Sequence, residues 1–597
     1  MKQYSPAIRW MDWTKEAFIK AEKENKLIIL NISATWCHWC HVMDRTTYAD
    51  PIVVRIINDR FVPIRIDGDK RPDIQDRYLL GGWPTTAILT PDGRILNGST
   101  YLPPDAMIRM LCETNIAYYE HTATTTMRIV EQEEEIIEHA RELPEAPIPE
   151  LDETVLDKLS SALKREFDPW HGGFGSEPKF PYPDAIHFAF LQYKKTGDED
   201  MLKIALKTLD GMMGIYDPVW GGFFRYSEDG SWTQPHYEKM LYVQAGALDN
   251  YLEAYQVTKD NKYGEVAAGI KNYLKRFLSD QQNGGFYGSQ DADVGSRDLS
   301  KDLIPGENYY SKDEKERLEI GVPDVDTTIF TDWNGMMISA YCRLFQAMGD
   351  KEARDFAVKT ADRILDENMI DGKMCHYNDG EPKLPGILSD QVYFAQGLVD
   401  LFQSTGQRKY LNQAEALVKF MISELRDQED GGFYFQLYDP SAFGRLKERH
   451  KPFDENVMAA KLLVELSYLT GFETYRDLAE QTFHAIAHPQ MVESVLGAGF
   501  GVALDLYLNF PVHIVLVGNR TKEETQAMLE TSLHAYDPRK LVQLLDPNED
   551  LLTIGPITYK AEEKPIVYVC YQNECSTPLT SNEELASMLE NVLGAQT

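Results

Sequence analysis

The sequence predicts a multidomain chain: a small α/β domain at the N-terminus, an all-α (α/α)6 toroid of six helical hairpins after it, and a small α/β appendage at the C-terminus. Three observations carry that reading. Apolar runs of strand length alternate with helical stretches up to residue 93, and helical periodicity then dominates from residue 151 to 510. Inside the helical stretch one Gly-Gly-aromatic motif recurs four times. At 597 residues the chain also exceeds the roughly 250–300 over which one hydrophobic core keeps growing.

In the first domain, residues 14–25 read as a helix with Thr14 as its cap and Ala17, Phe18 and Ala21 on its apolar face. Lys26-Leu-Ile-Ile-Leu-Asn-Ile-Ser33 is a buried strand, and a helix runs from the cysteine pair Cys37/Cys40 to residue 58. Phe61-Val-Pro-Ile-Arg-Ile66 is a second strand. Trp83-Pro-Thr-Thr-Ala-Ile-Leu-Thr90 is a third, closed by the turn Pro91-Asp-Gly93. The domain is bounded at 1–126. Residues 127–150 form a linker, acidic at 131–135 and proline-rich at 143–149.

The repeats are Trp170-His-Gly-Gly-Phe174, Trp220-Gly-Gly-Phe-Phe224, Asn283-Gly-Gly-Phe-Tyr287 and Asp430-Gly-Gly-Phe-Tyr434. They are spaced by 50, 63 and 147 residues, the last near twice the others. Glycine pairs permit positive φ and a tight reversal, and the aromatic packs the turn onto helices. Leu241, Ala245, Leu248, Leu252 and Tyr255 recur at helical steps, as do Phe394, Leu398 and Leu401, and Leu462, Leu466 and Leu469. Some twelve helices over 151–511, each hairpin with an apolar face to hide, close most economically into a ring. Beyond it, 512–597 holds two buried strands, Val512–Gly518 and Pro565–Cys570, in a small α/β region.

Ninety-four acidic side chains against 60 basic give a formal net charge of −34. Such a surface repels phosphate backbones and anionic lipid, so nucleic-acid and membrane partners are not expected. No apolar run reaches the roughly 20 residues that cross a bilayer, and the opening Met-Lys-Gln-Tyr-Ser-Pro has no signal-type segment. A cytoplasmic protein is expected, and in that compartment seven cysteines are not a disulfide scaffold. Cys112, Cys342 and Cys375 read as small buried hydrophobes, and Cys570 with Cys575 as structural thiols.

Trp36-Cys37-His38-Trp39-Cys40 follows a buried strand and opens a helix. Unpaired amides at a helix N-terminus stabilise a thiolate, so Cys37 is the expected nucleophile and Cys40 the resolving thiol. His38, if protonated, adds to that stabilisation. Cys37-His-Trp-Cys-His41 also matches haem-attachment spacing, and its four Cys/His side chains are a conceivable zinc set. An inert structural pair is the third alternative; the preceding strand favours thiol–disulfide chemistry over these, and no metal or cofactor is expected. Trp83-Pro84-Thr85 opens a later strand at a suitable distance. With it, residues 26–93 resemble thioredoxin, which implies a cis-proline at Pro84 against the dithiol and a client chain beside Thr85, flanked by Trp36, Trp39 and Trp83. Two departures stand out: His-Trp lies between the cysteines, and Asn31 occupies the position of the buried acid.

The helical region offers a second site. Pro235 suits a first helical turn, which would set His236 and Glu238 at the N-terminus of the helix through Leu241. Acids recur at similar starts: Asp184, Asp332, Asp390 and Glu455, with Asp291 and Asp293 in the loop after the third Gly-Gly turn. Carboxylates converging with a histidine suit glycoside hydrolysis or sugar epimerisation. Trp220, Trp232, Tyr237 and Trp333 are candidates to stack on a sugar ring. Acids in a first helical turn are also favoured by capping and the helix dipole alone. A protein thiol or disulfide client, or a carbohydrate, is the expected partner.

The whole arrangement resembles the spermatogenesis-associated protein 20 family. The resemblance is carried by Cys37-His-Trp-Cys-His-Val-Met43, Arg71-Pro-Asp-Ile74, Gly81-Gly-Trp-Pro84, Gly98-Ser-Thr-Tyr-Leu-Pro-Pro104, Lys179-Phe-Pro181, Pro235–Tyr242, Asp291-Ala-Asp293 and Thr331-Asp-Trp-Asn-Gly335. It implies a thioredoxin-like domain followed by a six-hairpin glycosidase-like toroid. Where the family has a glycine-rich Pro-Ser-Gly-Asn-Ser, this chain has Pro452-Phe-Asp-Glu-Asn456.

Overall fold

A computed structural model describes residues 7–120, 149–298, 300–571 and 574–594; nearly all of the expected linker lies outside them. The chain divides into two compact units. One comprises Met1–Ala146 with the later segments Gln290–Asp326 and Tyr438–His450; the other comprises Pro147–Ser289, Thr327–Leu437 and Lys451–Thr597. Two segments read from the sequence as part of 151–511 therefore cluster with the N-terminal residues.

The first unit is built on α1 (Lys15–Glu24), β1 (Leu27–Ser33), α2 (His38–Arg45), α3 (Pro51–Arg60), β2 (Phe61–Asp67), α4 (Pro72–Tyr78), β3 (Thr85–Leu89), β4 (Ile95–Ser99) and α5 (Pro104–Glu120). The sheet order is β2-β1-β3-β4, with β1 parallel to β2 and antiparallel to β3. Alternation along β1 explains why both faces are covered. Ile28, Leu30 and Ile32 pack with Phe18, Ile74 and Tyr78, while Leu27 and Ile29 pack with Val53, Ile57, Met107 and Leu111. The single helix expected up to residue 58 is two, because Pro51 disfavours a helical residue before it. Asp50 instead caps α3, accepting from the Ile52 and Val53 amides at 2.8 and 3.1 Å.

In the second unit twelve helices form the ring: α6 (Glu153–Glu166), α7 (Pro183–Thr196), α8 (Glu199–Met212), α9 (Leu241–Thr258), α10 (Asn261–Phe277), α11 (Thr331–Met348), α12 (Lys351–Glu367), α13 (Leu388–Thr405), α14 (Arg408–Phe420), α15 (Phe453–Thr470), α16 (Glu473–Ile486) and α17 (Ala498–Leu508). The odd-numbered six touch one another in sequence order, and α17 closes back on α7. Each even-numbered helix packs outside, and α6 is held by α17 as well as α7. The inner helices are accordingly the more apolar. Within α13, fifteen of eighteen residues are buried, whereas α14 buries only one face.

The repeated turns join an outer helix to the next inner one, and each is a six-residue loop opened by aspartate. Phe167 pairs with Phe174, Tyr216 with Phe223, Ser279 with Phe286 and Arg426 with Phe433, across Asp168, Asp217, Asp280 and Asp427. Both glycines have positive φ, for example 71° and 70° at Gly431 and Gly432. A Cβ on Gly431 would lie 2.7 Å from the Gln481 carbonyl oxygen of the outer helix. In three of the four turns a buried amide side chain in the following inner helix then clamps the turn. Gln244, Asn334 and Asn456 each accept from the backbone N–H of Phe223, Phe286 and Phe433 (2.7, 2.8 and 2.6 Å) and donate to the same residue's carbonyl. At the skipped repeat a β-hairpin, Met369–Ile370 with Lys373–Asn378, replaces the turn, and Gln391 clamps Met374 in the same way. That hairpin accounts for the doubled spacing.

The C-terminal region holds β5 (His513–Val517), α18 (Glu523–His534), β6 (Leu541–Leu545), β7 (Ile566–Tyr571), β8 (Glu574–Cys575) and α19 (Asn582–Gly594). Its sheet order is β6-β5-β7-β8, with β5 parallel to β6 and antiparallel to β7. This is the topology of the N-terminal sheet repeated, with Gly518-Asn519-Arg520 where the first domain carries its dithiol. Cys570 and Cys575, expected as structural thiols, are a disulfide: they face each other across β7 and β8, with Cα atoms 3.9 Å apart. Among the other cysteines, Cys342 and Cys375 are buried and Cys112 is half-buried.

Candidate functional site

β1 ends at Ser33, and the chain turns through Ala34-Thr-Trp36 so that Cys37 becomes the N-cap of α2. The Cys40 amide donates to Cys37 Sγ at 3.2 Å, the contact by which a helix N-terminus stabilises a thiolate. Cys37 and Cys40 are paired as a disulfide, their Cα atoms 5.3 Å apart. Pro84 follows a cis peptide bond and is buried at the start of β3. Thr85 is buried beside it, its hydroxyl donating to the Gly82 carbonyl at 2.8 Å, and its own carbonyl accepts from Asn31 Nδ2 at 3.3 Å. Trp36 is buried, its indole N–H bonded to Asp69 Oδ2 at 2.5 Å, with its ring edge-on to Trp83. Trp83 donates to Gln75 Oε1, and Trp39 is 41% exposed.

Asn31 is fully engaged. It donates to Tyr48 Oη at 3.1 Å and accepts from Arg65 Nε at 2.7 Å. No carboxylate stands at that strand position to take a proton from the resolving thiol. Carboxylates arrive from Gln290–Asp326 instead. Asp293 Oδ2 lies 2.7 Å from His38 Nδ1, and Asp291 Oδ2 lies 3.0 Å from His41 Nε2. Asp291 and Asp293, expected to bind sugar, belong to the dithiol's own unit. The linear order of the chain hid this, since they follow a ring turn in sequence. His41 is raised above the ordinary histidine range: burial works against this, and the Asp291 bond together with the Asp291, Asp293 and Asp44 charges outweighs it. Asp67, at the end of β2, is raised to about 6 by burial and by the neighbouring Asp326.

In the second unit the inner-helix N-termini converge. A Cβ on Gly499 of α17 would lie 2.8 Å from Asp184 Oδ2 of α7, and Tyr242 of α9 meets Trp333 of α11 at 5.3 Å. The Asp332 amide of α11 donates to Asp390 of α13 at 3.3 Å, and Asp184 helps to raise Asp454 of α15 to about 6, after burial. The most developed cluster is Asp332, Asp390 and His376, all buried. His376 Nδ1 lies 3.0 Å from Asp390 Oδ1. Burial first, and then Asp390, raise the Asp332 carboxyl to about 6 against the opposing pull of His376. His376 was missed in the sequence because it sits in the hairpin that replaces a ring turn, where no motif marks it.

His236 and Glu238 are not in a first helical turn. His236 lies in a short strand, Pro235–His236, paired with Tyr226–Ser227, and α9 begins only at Leu241. Proline also suits a strand end, and here that context prevails. His236 Nε2 contacts Glu228 at 2.6 Å and its Nδ1 lies 3.6 Å from the buried Glu238. Burial would raise Glu238, but the His236 bond and the His236 and Arg225 charges bring it below the ordinary range. Arg225 in turn bonds Tyr242, whose ring meets Trp333, so this group adjoins the Asp332 cluster through two aromatic rings. Tyr237 packs edge-on to Phe224, half-buried. Trp232, expected to stack on a sugar, is 1% exposed; its indole donates to the Gly172 carbonyl and its ring underlies Gly173, so it is core.

The fold and the two sites define a class: a thioredoxin-like domain with a dithiol, joined to a six-hairpin helical toroid of glycosidase type. Residues 1–144 match the family model Thioredox_DsbH, described as protein of unknown function DUF255, and residues 311–494 match that of Glycosyl Hydrolase Family 88. Over 98% of its length the chain is similar, at 27% identity, to spermatogenesis-associated protein 20 of Homo sapiens, covering 90% of that protein. It is 26% identical to an uncharacterized protein of Caenorhabditis elegans over 97% of this chain and 94% of that one. Among solved structures, cellobiose 2-epimerase from Bacillus thermoamylovorans is similar with a TM-score of 0.43 at 13% identity, covering 56% of this chain and 87% of that chain. Among the described residues no helix is long and apolar enough to cross a membrane.

Proposed function

We propose that the protein is a thiol–disulfide oxidoreductase in which Cys37 attacks a client disulfide and Cys40 resolves the mixed disulfide. The observation that carries this is the Cys40 amide pointing at Cys37 Sγ from the first turn of α2, beside the buried Pro84. A cytoplasmic setting, where reduced thiols regenerate the dithiol, is part of the proposal. Purified protein with a dithiol reductant should reduce insulin disulfides, and Cys37→Ser should not. Equal activity in the variant would reject the assignment.

A specific observation favours a second activity in the toroid. Asp332, held up to about 6 beside Asp390 and His376, has the protonation range of a general acid near neutral pH. A carbohydrate is the proposed ligand of the converging helix N-termini, with proton transfer at a sugar carbon or glycosidic oxygen as the chemistry. A sugar panel with product detection tests this. Turnover should fall as pH rises past about 6 and vanish in Asp332→Asn. Turnover retained in that variant removes Asp332 from the chemistry.

A further inference from the structure

We propose that Asp291-Ala-Asp293 is part of the redox site: a pair of positioning residues, each holding the histidine that follows one of the two cysteines. This deepens the dithiol reading and rests on it. The pairing is regular. Cys37 is followed by His38 and Cys40 by His41, and two carboxylates two residues apart meet the two rings at 2.7 and 3.0 Å. Both carboxylates are fully buried and fixed on their other sides. Asp291 accepts from Ser296 Oγ at 2.7 Å and from the Asp293 amide at 3.0 Å; Asp293 accepts from the Gly306 amide at 3.0 Å. Arg45, at the far end of α2, donates to the carbonyls of Gly295, Ser296 and Asp298 and so ties the segment to the helix that carries the dithiol.

The chemistry follows from the missing acid. With Asn31 a fully bonded amide, the protons of the two thiols need acceptors elsewhere. An imidazole whose ring nitrogen is gripped by a carboxylate is held in one tautomer, with its other nitrogen left to take a proton. In client reduction, the Cys37 thiol gives its proton to His38, and the thiolate attacks one client sulfur. The client S–S bond breaks, and its other sulfur leaves as thiolate with the bonding pair. Cys40 gives its proton to His41 and attacks Cys37 Sγ, which expels the second client thiolate. Two electrons pass to the client, both protons end on its thiolates, and the protein is left as the disulfide. The groups facing His41 are Asp291, Asp293 and Asp44; Asp293 faces His38.

The test is the pH profile of Cys37 alkylation by iodoacetamide in the reduced full-length protein, with Cys40 replaced by Ser throughout. Asp293→Asn should move the apparent thiol pKa up by about one unit and slow alkylation about tenfold below it. Asp293→Glu should restore most of the rate. His38→Ala should give the same shift, and Asp293→Asn added to His38→Ala should change nothing further. A wild-type profile in Asp293→Asn, or a full additional slowing on the His38→Ala background, overturns the proposal. Asn retains an acceptor for the Gly306 amide, and an unchanged urea midpoint confirms folding. If it does not fold, the His38→Ala profile decides alone: an unshifted thiol rejects the idea. Wild-type Cys37 alkylating no faster than free cysteine would instead defeat the dithiol reading itself.

Discussion

Asn334→Asp tests the repeated amide clamp with almost no change in volume. Asn334 is fully buried and makes three hydrogen bonds: it accepts from Phe286 N–H at 2.8 Å and donates to the carbonyls of Phe286 and Phe330 at 3.0 and 2.8 Å. A carboxylate keeps the first bond and cannot make the other two. Each lost bond costs about 1 kcal/mol net, and turning a buried charged oxygen toward two carbonyls adds about 1–3 kcal/mol, so at least about 3 kcal/mol is expected. Burial raises the new carboxyl above its unfolded value near 3.9, and its neutral form can donate one bond. The deficit should therefore be smallest below about pH 4 and grow as pH rises toward neutrality. Urea unfolding followed by far-UV circular dichroism, at pH 4 and pH 7 against wild type, measures it. A loss under about 0.5 kcal/mol at pH 7, or a loss independent of pH, would refute the clamp as a stabilising device.

Two further outcomes follow from the same turns. Lys239 and Asp217 are both fully buried and 2.7 Å apart, with Lys239 also donating to the Gly221 carbonyl. Lys239→Met should cost about 3–5 kcal/mol by stranding Asp217, and adding Asp217→Asn should recover part of it, as read by urea midpoints; an additive double variant would deny the coupling. At Asp168, burial alone would raise the carboxyl, but the Lys179 bond and the Trp170 and His171 amides hold it down at about 2, below the ordinary 3.8. A depressed pKa contributes stability that is present above the unfolded value and lost as pH falls through the folded one. The advantage of wild type over Asp168→Asn should thus be nearly constant above about pH 4, mostly lost by about pH 2 and gone about one pH unit below that in acid-titrated thermal melts. An advantage undiminished at about pH 2 would show that the carboxylate's charge is not its source.

Much of the fold was legible because it depends on local rules. The apolar run Leu27–Ser33 and the placement of Cys37 at a strand-to-helix junction need only strand length and capping chemistry. The ring was legible through its turns, because two adjacent positive-φ residues against a helix carbonyl require glycine wherever the unit recurs. Asp332 and Asp390 were legible as acids at helix starts, but their special environment was not. A carboxyl is raised to about 6 by what surrounds it, and His376, from a hairpin with no motif of its own, completes the cluster.

The sequence by itself determined the dithiol, the helical repeat and the order of the domains, since each is written in residues close together along the chain. Only the tertiary structure decided the rest. It made Trp232 core, put His236 in a strand, joined Cys570 to Cys575, and gave Asp291 and Asp293 to the dithiol's histidines. The physical reason is one of range. Capping and periodicity act within one element, whereas burial, strand pairing and charge pairing depend on which elements meet. His38 and His41 meet carboxylates 255 and 250 positions away, and even Cys570 and Cys575, 5 apart, are joined only because two strands set them opposite each other.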